Sequence, residues 1–328
     1  LVLYKREDLL PGPPRRRRMS TDVSPSFGRP GTVLHYRLKR PDSLKADDEA
    51  PVLPIMIPET TIYMLFAHRQ WRAGMLLADA IYAGWVPVDD QWILELGAGT
   101  GLPALAVALT RHPRKVVVTD YDDAAIVQAL RTNAADCAAA NPQRKMAPLT
   151  VAGHTWGHRI DDVLDLLPCT PTEPSPHFDV LLLADCVWER FSHDILLKSI
   201  THLLARTPEA RIYMVAGLHT GRSTLVQFFR RALEAGLQLV PLPHLDQWPM
   251  LSTDESESDP ALRGSEHVLE LEVGGDWDDT GASQREPCLT GARRAFRTAR
   301  PTATADDETI QQRNHWLTVS CLAWAAST

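Results

Sequence analysis

The chain has little cysteine and no cysteine pattern. Its five cysteines (Cys137, Cys169, Cys186, Cys288 and Cys321) are odd in number and far apart, with no C-x-x-C. That excludes a disulfide framework or a zinc cluster and points to a reducing compartment. Long apolar runs are missing too. None approaches the roughly 18–20 residues of a membrane span, so no membrane segment is expected. A signal-peptide pattern is absent, because the arginines at 15–18 run into polar residues rather than an apolar core. Positive charge is also lacking. With 34 Lys and Arg against 41 Asp and Glu, the net charge is −7, and nothing draws the whole chain toward nucleic acid. No internal repeat is visible. What remains is 328 residues, 44% of them hydrophobic, enough for one large core or two modest ones.

The chain opens on Leu1, and its first methionine is Met19. Residues 1–18 hold six basic side chains, two acids and three prolines. We read them as a fragment or upstream extension, with Met19 the expected start, rather than as a basic targeting arm. Residues 1–60 read as an extended, partly disordered arm, since prolines recur at 25, 30, 41, 51, 54 and 58 with no helical period. From Leu65 to Gly84 the apolar spacing is helical.

Short β-type runs then alternate with helical ones. Strands are expected at 92–96, 115–119, 149–152, 179–184 and 211–216, with helices after 101 and over 122–140, 193–205 and 223–235. Such alternation means βαβ units around a parallel sheet. Residues 237–240 and 267–273 read as further strand material, and 316–323 as a final strand. Between 251 and 310 stand 14 acids against six bases, which suggests an inserted acidic loop. It is either solvated filler or an electrostatic guide for a basic partner. Residues 61–328 otherwise read as one catalytic domain.

The strongest local signal is Leu94-Glu95-Leu96-Gly97-Ala98-Gly99-Thr100-Gly101-Leu102-Pro103, where a strand hands over to a helix. Glycines there let the backbone turn and a ligand approach closely. A dinucleotide fingerprint needs a third glycine at 102, where the chain has leucine, and the G-K-[ST] of a phosphate loop is absent. Asp120 ends the next strand, 23 residues after Gly97, where a carboxylate can accept from both hydroxyls of a ribose. The plainer reading of Asp120 is a solvated strand-end acid. Tyr121 follows and fits an adenosine pocket or the core. Gly153-His154-Thr155-Trp156-Gly157-His158 puts an indole where adenine could pack. With no third ligand placed, its histidines read as solvated loop residues rather than metal ligands, and no metal is expected. Ala184-Asp185-Cys186-Val187-Trp188 ends the fourth strand with a carboxylate and an aromatic facing a reacting group. The plainer reading of Asp185 is a helix cap, and His193 is expected to open the following helix.

Together these segments resemble the seven-β-strand lysine methyltransferase-like family, which uses S-adenosylmethionine. The likeness extends to Phe66-Ala67-His68-Arg69-Gln70-Trp71, to Ala216-Gly217-Leu218-His219-Thr220-Gly221-Arg222 and to Arg313-Asn314-His315-Trp316-Leu317. It is strongest with the fungal branch once called nicotinamide N-methyltransferase-like. That branch includes the methyltransferase acting on the N-terminus and neighbouring lysine of translation elongation factor 1-alpha. The resemblance implies a class I, Rossmann-like, doubly wound α/β fold with a seven-stranded sheet, order 3-2-1-4-5-7-6, and an antiparallel last strand. It implies that Trp71, Gly97, Ala98, Gly99, Gly101, Asp120, Tyr121, Trp156 and Ala184 hold S-adenosylmethionine. It implies that Asp185 and Trp188 meet the acceptor, with tryptophan where the family has phenylalanine or tyrosine. A cytoplasmic monomer acting on a protein amine is expected. The rival readings are a small-molecule N-methyltransferase lidded by the N-terminal arm, and a non-catalytic module that binds S-adenosylmethionine.

Overall fold

The computed structural model describes residues 23–39, 49–62, 66–169, 176–245, 248, 262–276, 285–298 and 308–326. The chain enters through β1 (Ser26–Phe27), β2 (Val33–Arg37), β3 (Val52–Met56) and β4 (Gln70–Trp71) before helix α1 (Arg72–Tyr82). Here the structure departs from the extended arm expected over 1–60. β2 and β3 pair antiparallel, and alternate residues Leu34, Tyr36, Leu53 and Ile55 turn into the main core. Burying such side chains stabilises by about 1.5–3 kcal/mol each. Asn133 pins the pair, accepting from the Met56 amide at 2.7 Å and donating to the Met56 carbonyl at 3.0 Å. Proline content hid these strands. In a two-stranded ribbon both strands are edges, so Pro54 removes no ladder bond that the fold needs. The described part of the arm is thus core material rather than a lid over the site. Residues 1–22, including the basic run, lie outside the described residues.

From β5 (Trp92–Leu96) onward the expected alternation is seen: α2 (Leu102–Thr110), β6 (Lys115–Asp120), α3 (Ala124–Ala140), β7 (Leu149–Gly153), the short α4 (Asp161–Leu164), β8 (Val180–Ala184), α5 (His193–Leu203), β9 (Arg211–Gly217) and α6 (Arg222–Glu234). β10 (Leu237–Val240), β11 (Leu269–Asp276), β12 (Arg285–Ala295), α7 (Ile310–Arg313) and β13 (Trp316–Trp324) complete it. Side chains alternate between the two faces. Ile93, Val116, Val118, Leu182 and Val215 join α1, α2 and α3. Leu94, Val117, Leu181, Leu183 and Met214 join α5 and α6. Helices on both faces explain why these strands read as unbroken apolar runs.

The sheet is mixed, with flanking helices, as in a Rossmann-like methyltransferase fold. Its strand order is β12-β11-β13-β9-β8-β5-β6-β7 with β10 also on β13. The central strands β7, β6, β5, β8 and β9 are parallel, and β13 lies antiparallel to β9. The sheet has nine strands among the described residues, where seven were expected. Two strands share the outer edge of β13: β10 pairs with residues 321–324 and β11 with 316–319. β12 then extends beyond β11.

The acidic stretch expected as loop therefore contributes a hairpin. Two of its acids, the buried Glu270 and the half-buried Glu308, sit in ion pairs. Arg222 reaches Glu270 at 2.7 Å and Glu308 at 2.7 Å, and Arg294 reaches the same two carboxylates at 2.6 and 2.8 Å. Composition could not show this, because pairing depends on which residues the hairpin brings beside α6. Residues 251–261, 277–284 and 299–307 of the stretch lie outside the described residues. No described helix is long and apolar enough to cross a membrane.

Candidate active site

The turn after β5 is built for glycine. Gly97, Gly99 and Gly101 have φ of 66°, 56° and 79°, a left-handed region that side chains resist. A Cβ on Gly97 would stand 2.9 Å from both Cys186 Sγ and Trp156 Cζ2, whereas one on Gly99 would meet nothing within 4 Å and would enter open space. Gly101 instead caps α2 and packs against Leu130. Beneath the turn, Glu95 Oε2 accepts from the Ala104 amide at 2.9 Å, so its carboxyl satisfies an amide in the first turn of α2. Burial raises Glu95 to about 8, and the charge of Asp120 pushes the same way.

Asp120 is buried, not solvated. Its two oxygens accept from the Gly99 amide at 2.6 Å and the Tyr121 amide at 2.7 Å, so it holds the glycine turn in place. Burial still lifts it to about 6. Opposite, His154 is buried too, which corrects the solvated-loop expectation. Its Nε2 pairs with Ser199 Oγ at 3.0 Å, and that hydroxyl accepts from the Gly157 amide at 2.8 Å. Burial lowers the histidine's pKa, so it is a neutral brace for the Trp156 loop.

The other end is aromatic. Asp185 has φ of 58°, a strained position for a non-glycine residue. Its amide donates to the Val215 carbonyl at 2.8 Å and its Oδ1 accepts from the Gly217 amide at 2.9 Å. Oδ2 has no partner among the described residues. Burial raises its pKa, while His219 and the Gly217 amide hold it down. Asp185 is no helix cap, since Ser192 precedes α5. Around it, Trp71 stacks on His219 with ring centres 5.1 Å apart, and Phe66 meets Trp188 edge-on at 5.0 Å. Trp71 Nε1 donates to the Phe66 carbonyl at 3.1 Å. His193 opens α5 as expected and holds the Val187 carbonyl at 3.0 Å, which fixes the loop carrying Trp188.

Both ends face one cavity of about 330 Å³. Trp71, Gly97, Ala98, Gly99, Asp120, Tyr121, Trp156, Ala184, Asp185 and Trp188 all line it, and Gly101 does not. Gly101 serves the turn rather than the ligand. Three contributors were not singled out from sequence. Phe66 and His219 sit inside segments that carried the family resemblance, so the signal was present but pointed to no role. Gln70, whose side chain meets Thr100 Oγ1 and lines the cavity, lies in the same segment as Phe66 and was likewise given no role. Among the described residues no group of three or more His, Cys, Asp or Glu could hold a metal ion.

A family model described as lysine methyltransferase matches residues 55–234. The chain is 28% identical over 252 residues to the protein N-terminal and lysine N-methyltransferase efm7 of Schizosaccharomyces pombe, covering 76% of this chain and 91% of that protein. It is 30% identical over 201 residues to its Gibberella zeae namesake, covering 59% and 74%. Among solved structures, a precorrin-6y C5,15-methyltransferase from Geobacter metallireducens aligns over 78% of this chain and 88% of its own, at 10% identity and a TM-score of 0.40. The family match spans more than half of the chain and contains the glycine turn, Asp120, Trp156 and Asp185, and the protein belongs to the lysine methyltransferase family.

Proposed function

We propose that the protein is an S-adenosylmethionine-dependent N-methyltransferase whose acceptor is an amine of another protein, a lysine or an N-terminal α-amine. The observation that carries this reading is the unlike chemistry of the cavity's two ends. One end is a bare glycine turn beside a buried carboxylate. The other is a buried carboxylate walled by Phe66 and Trp188, with Trp71, expected from the resemblance at the cofactor, stacked on His219 beside it.

The first end fits S-adenosylmethionine. Open space over Gly99 admits a ligand against the backbone. Asp120 keeps unused lone pairs for ribose hydroxyls, and Trp156 offers a flat apolar wall to adenine. When bound, this cofactor supplies an electrophilic methyl group for in-line displacement by an amine lone pair. The amine must be neutral. A lysine of pKa near 10.4 is neutral about once in a thousand at pH 7.4, a cost of about 4 kcal/mol, and an α-amine near 7.7–8.0 is much closer to ready. The aromatic walls disfavour the charged ammonium by desolvation. Asp185 Oδ2 can accept one N–H and turn the lone pair toward the methyl group. Positioning then supplies most of the rate, and no strong base is needed.

The acceptor we propose is a basic protein of the elongation factor 1-alpha type, on the sequence resemblance. The test is to incubate the protein and its Asp185→Asn variant with methyl-labelled S-adenosylmethionine and a fungal lysate. Label should enter protein with the native chain and fall sharply with the variant. Label confined to small molecules would overturn the reading.

A further inference from the structure

Large apolar side chains that stay exposed are unevenly spread over the described surface. Phe66, Tyr121 and Ile195 line the mouth of the cavity with 41%, 39% and 41% of their surface exposed. Phe191 sits in the chain between the lining residues Glu189 and Ser192, and its exposure is 92%. Single exposed apolar residues are ordinary, but several gathered at one opening mark an interaction surface.

Phe191 is not loosely hung. It lies in a single 3-10 turn, 190–192. Glu189 accepts from its amide at 3.3 Å and from Ser192 Oγ at 2.7 Å. Arg190 ties the same turn to α6 through Ser223 Oγ at 2.6 Å and Thr224 Oγ1 at 3.2 Å. The ring is thus held out in water by a braced backbone, and it supports neither the core nor the cavity wall. The polar groups beside it suit an amine. Asp185 and Glu189 line this end of the cavity, and Arg69 is the one lysine or arginine in its wall.

We propose that Phe191, with Ile195 and Phe66, is the docking surface for the polypeptide that carries the acceptor amine. The occupant is an extended segment with an apolar residue a few positions beyond the amine. This inference rests on the function proposed above. The amine enters toward Asp185, the chain leaves across the mouth, and its apolar side chain covers the Phe191 ring.

Synthetic peptides of about twelve residues test it. Each has a free α-amine and a lysine at its second position. One set carries a single leucine moved through positions three to six, and the control has serine at all four. Methylation kinetics are measured with the full chain and with Phe191→Ser and Phe191→Leu, together with S-adenosylmethionine affinity. For the native chain, the best leucine peptide should have a KM about tenfold below the serine control. Phe191→Ser should erase that difference with kcat and cofactor affinity within about twofold, and Phe191→Leu should keep most of it. Equal KM for leucine and serine peptides, or a difference that survives Phe191→Ser, overturns the docking surface and leaves protein methylation standing. If no peptide is methylated and label enters only small molecules, the proposed function fails and the docking surface with it.

Discussion

The two ends of the cavity are made in different ways. The end at Gly97, Gly99 and Asp120 is made from backbone and one carboxylate, within a single strand–turn–helix and the neighbouring strand. The end at Asp185 is made from side chains on separate pieces of chain: Phe66 and Trp71 before α1, Trp188 after β8, and His219 after β9. The first can change little, because a side chain at Gly97 would be strained by its positive φ and would meet Cys186 and Trp156. Under the proposed function, the second could exchange one aromatic for another and so alter the acceptor while the fold stays the same.

Substitutions at the two ends should therefore fail differently. The largest effect belongs to Asp185→Asn, with turnover falling about 100-fold, because the lost interaction acts at the reacting centre. Asparagine tolerates the positive φ and still accepts from Gly217, so cofactor affinity should stay within about threefold. Equal losses of affinity and turnover in calorimetry and steady-state kinetics would show that the two ends are not separate.

Gly97→Ala comes next. Its backbone alone costs about 1–2 kcal/mol, and the new Cβ meets Cys186 and Trp156. Cofactor affinity should drop more than tenfold. Unchanged binding would mean the turn is looser than its geometry.

Asp120→Ala should weaken S-adenosylmethionine by about 1–3 kcal/mol, the range for polar groups left unpaired. The pH dependence sharpens this. Burial raises Asp120 from its usual range to about 6, so the carboxylate proposed to accept the hydroxyls is lost as pH falls through that value. Affinity should decline from pH 7.5 to 5 in the native chain, and Asp120→Ala should flatten that decline. A native profile already flat over this range would remove Asp120 from the cofactor.

The smallest effect is expected at His219→Ala, which removes the ring stacked on Trp71. Acceptor KM should rise about threefold with cofactor affinity unchanged, since an aromatic pair contributes about 0.5–1.5 kcal/mol. A loss of cofactor affinity instead would assign Trp71 wholly to the first end.

Legibility followed the same division. The glycine turn and Asp120 could be read because a strand end, a turn and a helix start are local, and their spacing carries chemistry. Glu95 was visible as a letter in that motif, but its place under α2 and its raised pKa come only from burial. The N-terminal strands were missed because Pro51, Pro54 and Pro58 outweigh two short alternations, Leu34/Tyr36 and Leu53/Ile55. In the hairpin β11–β12 the first strand was expected within 267–273, and β12 was missed because its charges look solvated until Arg222 and Arg294 are seen against Glu270 and Glu308.

The alternation of strands and helices from β5 to α6, the turn that admits a ligand to the backbone, and the acid at the next strand end were set by sequence alone, because each depends on residues near one another in the chain. The nine-stranded sheet, the buried state of His154, and the meeting of Phe66, Trp71, Trp188 and His219 around Asp185 were decided by tertiary structure. Those features depend on which distant segments share a face or an edge. Sequence periodicity says that a side chain turns inward, and only packing says what it meets there.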